Sequence, residues 1–374
     1  MLVAKIALGL LGLGIVVFFH ELGHFLAARL VGINVEAFSI GWGKPILKKK
    51  IGSCEYRLGM FPMGGYCKMQ GDSDYSNEAY KKLQEGLLPE KGSYLAAPPA
   101  ARILVCFAGP FFNLVLAVIL LSFVWGFGFE TKTFENKIKL LSDVNQNEVY
   151  PADIAGLKTG DRITKINKKD IAYYYDIQKN IGTNAKKELP ITVDRDGELI
   201  QLSITPLMEE DTGRGIIGIY PYNNEIISFR TPKLSIPAAI VTGVKESYET
   251  LILSVTSLRL LFQGINLTKA VSGPVRITYM MGDVAAQGFN QSIGTGLYIF
   301  VNFISLISIA LCVMNLLPLP ILDGGMIILF LIEMIRRKPA HPKAIAVFQT
   351  CGMVIIFSLF VFALFGDIMF FVDK

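Results

Sequence analysis

The sequence His20-Glu21-Leu22-Gly23-His24 has the residue types and the spacing of a catalytic metal site. On a helix, residues four positions apart share a face, so both imidazoles can reach one Zn²⁺ while Glu21 takes a proton from bound water. The chain has only three histidines, which puts a chance occurrence on the order of one in a thousand. The pattern therefore predicts metal-dependent hydrolysis. Zinc is the preferred ion, and the ligand types alone do not exclude iron or manganese.

The motif lies within an apolar run, and this location strengthens the argument for a metal. An ionisable side chain in a membrane span costs about 2.5 to 3.5 kcal/mol, and His20, Glu21 and His24 all fall within this run. A bound metal ion would compensate for that cost. The alternative is a polar cluster that hydrogen-bonds the helices together without a metal, although Ser, Thr or Asn would serve that purpose at less cost.

A catalytic zinc usually has three protein ligands and one open position, so a third ligand must come from elsewhere in the chain. The remaining histidine, His341, lies between prolines in a basic loop and is expected at the solvated surface. Asp323 is the better candidate, because it ends the third apolar run at the same membrane depth as His20 and His24. In the alternative interpretation, Asp323 caps a helix that starts at Gly324.

Two prolines and two asparagines accompany these residues. Pro318 and Pro320 remove backbone donors just before Asp323, which predicts an unwound segment around a cavity.

Asn315 and Asn113 lie in apolar surroundings, where an amide needs a partner. Each of them either bonds a neighbouring helix or contacts the substrate, by holding its backbone or by stabilising the oxyanion of the reaction. The sequence leaves both interpretations open.

The elements that must position these residues are membrane helices. Of the 374 residues, 52% are hydrophobic and 18% are charged, and this composition excludes an ordinary soluble enzyme. Apolar runs of about 20 residues can cross roughly 30 Å of hydrocarbon. Such runs predict four transmembrane helices, approximately Val3–Val31, Ile103–Phe127, Leu297–Leu317 and Ala344–Phe371.

Basic residues in two short loops predict the orientation of these helices. They are Arg29, Lys44, Lys48, Lys49 and Lys50 after the first span, and Arg336, Arg337, Lys338 and Lys343 between the third and the fourth. Both loops are expected in the cytoplasm, close to the candidate site. The two termini and the long insert between the second and third spans are then expected outside.

The charge distribution and the cysteine spacing argue against nucleic-acid-binding proteins and against folds held by disulfides or zinc knuckles. The net charge of +5 comes from scattered Lys and Arg residues, which argues against nucleic acid as a partner. The five cysteines show neither a disulfide framework nor the spacing of a zinc knuckle.

The region between the first two spans predicts β-structure. Apolar and polar residues alternate from Phe38 to Met69 around several glycines, which is typical of short strands and hairpins. An edge strand close to the membrane can hold an extended peptide. The alternative is a cytoplasmic loop that merely folds on itself.

The long insert predicts a small α/β domain. Ile138 to Val144 is expected to form a strand, Tyr173 to Ile181 a helix, and Asp196-Gly197 the turn of a tight hairpin. Lys233 to Phe262 has the spacing of an amphipathic helix. The expected divisions are a first span at 1–32, a cytoplasmic-side hairpin region at 33–100, a second span at 101–129, an α/β domain at 130–207, an extracytoplasmic linker at 208–292, a third span at 293–335, and a basic loop with the fourth span at 336–374.

Five motifs in this order resemble those of the site-2 protease family of intramembrane zinc metalloproteases, most closely the type of the bacterial regulator of sigma-E protease. They are His20 to His24, Phe38-Ser39-Ile40-Gly41-Trp42-Gly43-Lys44-Pro45, Pro62-Met63-Gly64-Gly65-Tyr66, Ala108-Gly109-Pro110 through Asn113, and Asn315 to Gly325. A PDZ-like insert precedes the last motif, and the resemblance spans nearly the whole chain. Well-known members of this type carry two tandem PDZ domains, whereas this insert has room for one.

The resemblance implies a membrane α-helical fold with four transmembrane helices, a membrane-associated β-hairpin region and one inserted α/β PDZ-like domain. It also implies roles for particular residues. These are zinc ligands at His20, His24 and Asp323, a catalytic base at Glu21, a substrate-contacting Asn315, and a hairpin from about Gly41 to Met69, including Gly64, Gly65 and Tyr66, that holds the substrate as an added strand.

The implied activity is zinc-dependent cleavage within transmembrane segments, in the bacterial inner membrane. The expected substrates are single-span membrane proteins trimmed by another protease, or remnant signal peptides. Two other functional classes are a non-catalytic membrane adaptor and a transporter. Glu21 argues against a non-catalytic membrane adaptor with a structural metal, because a structural site needs no base. The lack of an internal repeat in the sequence argues against a transporter.

Overall fold

The structure is a computed structural model that describes residues 2–71, 90–145, 148–209, 214–223, 225–230, 232–261, 273–338 and 340–372. The helices are α1 (Leu2–Leu30), α2 (Pro99–Phe127), α3 (Pro151–Ile154), α4 (Tyr174–Gly182), α5 (Ile236–Leu261), α6 (Pro274–Gln291), α7 (Ile293–Asn315), α8 (Asp323–Arg336) and α9 (Pro342–Val372). The strands are β1 (Val35–Ile51), β2 (Cys54–Met69), β3 (Glu130–Thr133), β4 (Ile138–Leu140), β5 (Arg162–Ile166), β6 (Lys169–Asp170), β7 (Leu189–Arg195), β8 (Glu198–Ile204), β9 (Leu207–Met208), β10 (Gly215–Ile216), β11 (Ile219–Pro221) and β12 (Ile227–Arg230).

The chain forms two compact units. The first contains β1, β2, the long helices and most of α5, and the second contains β3 to β12 with the short helices α3 and α4. Four helical segments of the first unit are long and apolar enough to cross a membrane, namely Val3–Leu30, Pro99–Phe127, Ile293–Asn315 and Lys343–Phe370. They coincide with the four predicted spans to within a few residues.

The predicted third span at 293–335 consists of two helices with a break between them. Helix α7 ends at Asn315, and Ile321 in the following segment has a left-handed φ of 78°. Helix α8 then begins at Asp323 itself, with Leu322 at the N-cap and no capping side chain. The interpretation of Asp323 as the cap of a helix starting at Gly324 is therefore wrong, and its carboxylate is available for another role.

Strands β1 and β2 form a long, irregular hairpin against α1. The tight turn pairs Ile51 with Cys54, and the far end of the hairpin pairs Val35 with Met69. Near the beginning of β1, residues 37–40 have partners on both sides, 55–58 and 65–68. The end of β2 therefore lies on the outside of a folded sheet. Phe38 of β1 packs edge-on against Phe18 and Phe25 of α1, which fixes the sheet to this helix.

Helix α6 lies in the region that the sequence assigns to a linker at 208–292. It packs against α1, where Met281 and Ala285 are fully buried in a cluster with Val16 and Phe300. Lys5 of α1 and Asp283 of α6 form an ion pair at this contact. The linker assignment is therefore wrong for this segment, which is an integral part of the first unit. Its small and polar residues hide the helix from a search for apolar runs.

The second unit is built around a four-stranded sheet with the order β6-β5-β7-β8. The predicted turn of the β7–β8 hairpin is present, and Asp196 and Gly197 both have positive φ, 54° and 91°. The unit continues beyond residue 207, where the sequence analysis ends it, because β11 pairs with β4 and β12 pairs with β3. These strands have only three and four residues, too few to show an alternating pattern.

Candidate metal centre

Two histidines of α1 and the first residue of α8 meet in the first unit. The Nε2 atoms of His20 and His24 are 3.2 Å apart. Asp323 places one carboxylate oxygen 3.4 Å from His20 Nε2 and the other 3.5 Å from His24 Nε2. This is the one cluster with metal-ligand potential in the described part of the chain. The structure thus brings together the three residues that the sequence analysis selects as ligands.

The three ligand atoms fit a zinc ion. Bonds of about 2.0 to 2.2 Å in a tetrahedral arrangement place ligand atoms about 3.3 to 3.6 Å apart. The two Nε2 atoms are separated by a similar distance, and each of them has one of the two Asp323 carboxylate oxygens at a similar distance. Three protein ligands leave a fourth position for water or substrate, which is the arrangement of a catalytic site. The other histidine, His341, is exposed and accepts a hydrogen bond from the Lys343 backbone at 3.2 Å.

A hydrogen bond at Nδ1, on the side of the ring away from the other ligands, fixes the orientation of His24. Its Nδ1 lies 2.8 Å from the carbonyl oxygen of Val105 on α2. A carbonyl only accepts hydrogen bonds, so Nδ1 carries the proton and Nε2 keeps its lone pair for a metal. No sequence signal identifies Val105, because the contact uses its backbone and depends on how α1 and α2 pack.

The packing of α1 against α2 at the site depends on small residues. A Cβ atom added to Gly109 of α2 would lie 2.3 Å from His24 Nε2 and 2.8 Å from His20 Cε1. A Cβ atom added to Gly23 of α1 would lie 2.3 Å from the Ala108 carbonyl oxygen. Gly109 belongs to a motif identified from the sequence, but its position against both imidazoles follows only from the structure.

Glu21 lies between the two ligand histidines and the hairpin. Its carboxylate accepts a hydrogen bond from the Cys67 backbone of β2. A Cβ atom added to Gly65 would lie 3.1 Å from Glu21 Cγ and 2.8 Å from the Ser39 carbonyl oxygen. Strand β2 therefore passes directly beside the candidate catalytic base.

The other hairpin residues singled out from the sequence flank this contact. Gly64 lies against Trp42, because an added Cβ atom would be 2.2 Å from the indole Nε1. Tyr66 packs edge-on against the same indole and accepts a hydrogen bond from Arg57 at 3.0 Å. Both residues are partly accessible. They are the chain neighbours of Gly65, the residue of β2 that lies against Glu21.

The two asparagines occupy different positions. Asn113 of α2 has 0% exposed surface, and its amide nitrogen lies 3.3 Å from His20 Nδ1. This burial favours a bond to a neighbouring helix over a contact with the substrate, the two interpretations that the sequence leaves open for Asn113. Asn315 is the half-buried last residue of α7. Among the described residues, no hydrogen bond joins its side chain to His20, His24 or Asp323.

A buried ion pair ties α8, which begins with Asp323, to α2. Nη2 of Arg102 lies 2.8 Å from Oε2 of Glu333, and only 8% and 6% of the two side chains are exposed. Arg102 also donates to the Ala97 carbonyl oxygen at 3.1 Å and lies over the Phe330 ring. Glu333 accepts from the Ala340 backbone at 2.9 Å. These contacts hold the helix of the third ligand against the helix that supports the histidines.

Comparison with known proteins agrees with this arrangement. Relatives named "Putative zinc metalloprotease" include one from Treponema pallidum, 32% identical over 98% of this chain and 99% of the relative. Others come from Campylobacter jejuni, 33% identical over 94% and 90% of the two chains, and Clostridium perfringens, 32% identical over 98% of each. The family model for peptidase family M50 matches residues 8–359. Because this match covers nearly the whole chain, including the HExxH helix and Asp323, the chain belongs to peptidase family M50, the family of the site-2 proteases.

Proposed function

We propose that this integral membrane protein is a zinc endopeptidase that cleaves within transmembrane segments of single-span membrane proteins after their ectodomains have been trimmed, or within remnant signal peptides. The observation that carries the proposal is the convergence of His20, His24 and Asp323 beside Glu21. The two histidines and Glu21 lie on α1, which is long and apolar enough to cross a membrane. The names of the relatives support the zinc and the peptidase activity.

The residues of the site have distinct tasks. His20, His24 and Asp323 would hold the ion, which when bound lowers the pKa of a water toward 7 and polarises the substrate carbonyl. Glu21 accepts the proton of the attacking water and delivers it to the leaving nitrogen. The Cys67 backbone orients the Glu21 carboxylate for this transfer.

The end of β2 is the proposed binding strand for the substrate. Residues 65–68 have Cα partners in 37–40 on one side, which places this segment at an edge of the sheet formed by β1 and β2. A transmembrane helix must unwind before a peptide bond can be attacked, because its carbonyls are engaged in the helix. Pairing with Gly65 to Lys68 would replace those hydrogen bonds and place the opened segment beside Glu21.

The surroundings of the site follow from the same proposal. The hairpin from Gly41 to Met69 would contact the cytoplasmic leaflet, since Trp42, Leu47 and Phe61 are 57%, 65% and 54% exposed. The basic residues of the two short loops support a site near the cytoplasmic side of a bacterial inner membrane, with the termini and the second unit outside. The second unit would act as a single PDZ-like domain. Asn315, which ends the helix before Asp323, would contact the substrate.

The test is cleavage of single-span reporter proteins by the purified full chain in detergent. We expect cleavage that a zinc chelator stops and that restored zinc recovers. Glu21→Gln should abolish cleavage while the variant still holds zinc, because it removes the base and not a ligand. A membrane adaptor with a structural metal would show zinc binding and no cleavage by the wild type. Normal turnover by Glu21→Gln would contradict the proposed mechanism.

A further inference from the structure

We propose that Asn113 is the positioning residue for His20, and that its side-chain carbonyl oxygen accepts a hydrogen bond from His20 Nδ1–H. This inference rests on the proposed zinc site. It assigns Asn113 a role behind the metal ligand in place of a contact with substrate. Three features of the structure support it, namely the tautomer that the site requires, an unpartnered oxygen, and the way the asparagine is held.

The tautomer of His20 follows from the ligand geometry. His20 directs Nε2 at the carboxylate of Asp323, 3.4 Å away, and at Nε2 of His24, 3.2 Å away. A neutral imidazole that binds a metal through Nε2 carries its proton on Nδ1. That N–H is a donor, and a histidine ligand almost always donates it to a carbonyl, a carboxylate or water. His24 does so to the Val105 carbonyl oxygen.

The atom that faces His20 Nδ1 is one end of the Asn113 amide. With the nitrogen end at 3.3 Å, two donors would face each other once Nδ1 is protonated. Among the described residues, the buried Asn113 oxygen, Oδ1, has no hydrogen-bond partner. The two ends of an amide have nearly the same shape and are assigned from the hydrogen-bond network. Rotation of the amide by 180° pairs the unsatisfied oxygen with the Nδ1 proton.

Asn113 is held firmly enough for this task. The residue has 0% exposed surface, so no water competes for its amide. The hydroxyl of Ser308 on α7 donates to its backbone carbonyl oxygen at 2.7 Å. Helices α2 and α7 are therefore bonded at Asn113, whose amide faces the His20 ring of α1. Each ligand histidine then has an acceptor from α2 behind it: Val105 for His24 and Asn113 for His20.

The test compares zinc affinity among variants of the full chain in detergent, measured by competition with a metal-binding dye. Asn113→Leu removes the acceptor at similar volume, and we expect zinc to bind about 10- to 100-fold more weakly. Asn113→Asp keeps an acceptor oxygen at the same place, and we expect affinity within about threefold of the wild type. Ser305→Ala is the matched control. Like Asn113, Ser305 is a buried polar residue, with 2% of its surface exposed. It lies on α7, and its hydroxyl donates to the Val301 carbonyl oxygen of its own helix instead of facing a ligand histidine.

A spectroscopic signature separates positioning from a general loss of structure. The chain has only three histidines, so ¹⁵N-histidine NMR of the zinc-loaded protein resolves each ring. We expect a slowly exchanging Nδ1 proton on His20 in the wild type and in Asn113→Asp, and its loss or large shift in Asn113→Leu, with the His24 signal kept.

The outcomes distinguish this inference from the proposed function. A wild type that binds no zinc contradicts the zinc site itself. Zinc bound equally well by the wild type and by Asn113→Leu, with an unchanged His20 signal, would overturn the role of Asn113 alone. If Asn113→Leu does not fold, Asn113→Asp decides the matter, since loss of affinity in that variant contradicts an acceptor role.

Discussion

Gly109 on α2 lies against His24 on α1 so closely that a single added methyl group would sit 2.3 Å from the Nε2 nitrogen. The metal-facing atom of the histidine thus borders directly on the backbone of the neighbouring helix. A glycine at this position lets α2 support the His24 ring through the Val105 carbonyl and still leave room for the ring itself.

Gly109→Ala should therefore disrupt the metal site. The new Cβ atom must displace His24 or push α2 away, and we expect loss of bound zinc and of cleavage, measured on the purified variant. Gly126→Ala is the control on the same helix, because within the described part of the chain its Cβ atom would meet only Ala239, at 3.9 Å. Full zinc content in Gly109→Ala would show that the helices do not approach as described.

Gly65→Ala should lower cleavage without loss of zinc. Its Cβ atom would collide with the Ser39 carbonyl oxygen at 2.8 Å and crowd Glu21 at 3.1 Å, which moves β2 away from the base but touches none of the ligands. The readouts are reporter cleavage and zinc content. Gly52→Asn is the control in the same hairpin, because no described residue has an atom within 4 Å of the added Cβ position and Asn tolerates the φ of 63°. Equal cleavage by both variants would argue against a role for β2 beside Glu21.

Glu333→Gln should destabilise the first unit. Breaking a buried ion pair leaves a charge uncompensated, here that of Arg102, and typically costs about 3 to 5 kcal/mol. We expect a clearly lower unfolding temperature in detergent and easier loss of zinc, since α8 carries Asp323. Glu36→Gln breaks the exposed pair with Lys68 and should change stability by less than about 1 kcal/mol. Similar stability of the two variants would show that the Arg102–Glu333 pair does not tether α8.

Asp161→Asn should weaken the second unit. Asp161 is 1% exposed and accepts two hydrogen bonds from Arg195, at 2.7 and 2.8 Å, and one from the Lys158 backbone at 2.8 Å. We expect faster cleavage of this unit by an added protease. The control is Asp170→Asn, which breaks an exposed pair with Lys165 and should leave the rate unchanged. Equal rates for the two variants would contradict a structural role for the Asp161 contacts.

The convergence of His20, His24 and Asp323 could be predicted from the sequence, because the signals for it are local. Two histidines four residues apart on a helix must share a face, and the cost of placing them in an apolar run demands a compensating group. Asp323 follows from membrane depth and from the prolines before it. The supporting contacts of the same site, Val105 and Gly109, depend on helix packing. A backbone carbonyl and a missing side chain leave no pattern in the sequence.

In the fold, too, elements with a local sequence signal could be predicted, and elements that depend on distant contacts could not. Long apolar runs predict the four membrane helices to within a few residues. Helix α6 escapes prediction because it packs through small residues such as Ala285 and carries polar ones such as Asp283. Strands β11 and β12 escape because each is short and pairs with a strand about 80 or more residues earlier in the chain, and no local spacing records such a partner.

The zinc content of three purified proteins, after dialysis against a weak chelator, tests the proposed metal site most directly. The three proteins are the wild type, Glu21→Gln and Asp323→Asn. The arrangement of His20, His24 and Asp323 predicts one zinc per chain in the first two proteins and a marked loss in the third, since only Asp323→Asn removes a ligand. Zinc retained equally in Asp323→Asn, or absent from an active wild type, would contradict the metal site on which the account depends.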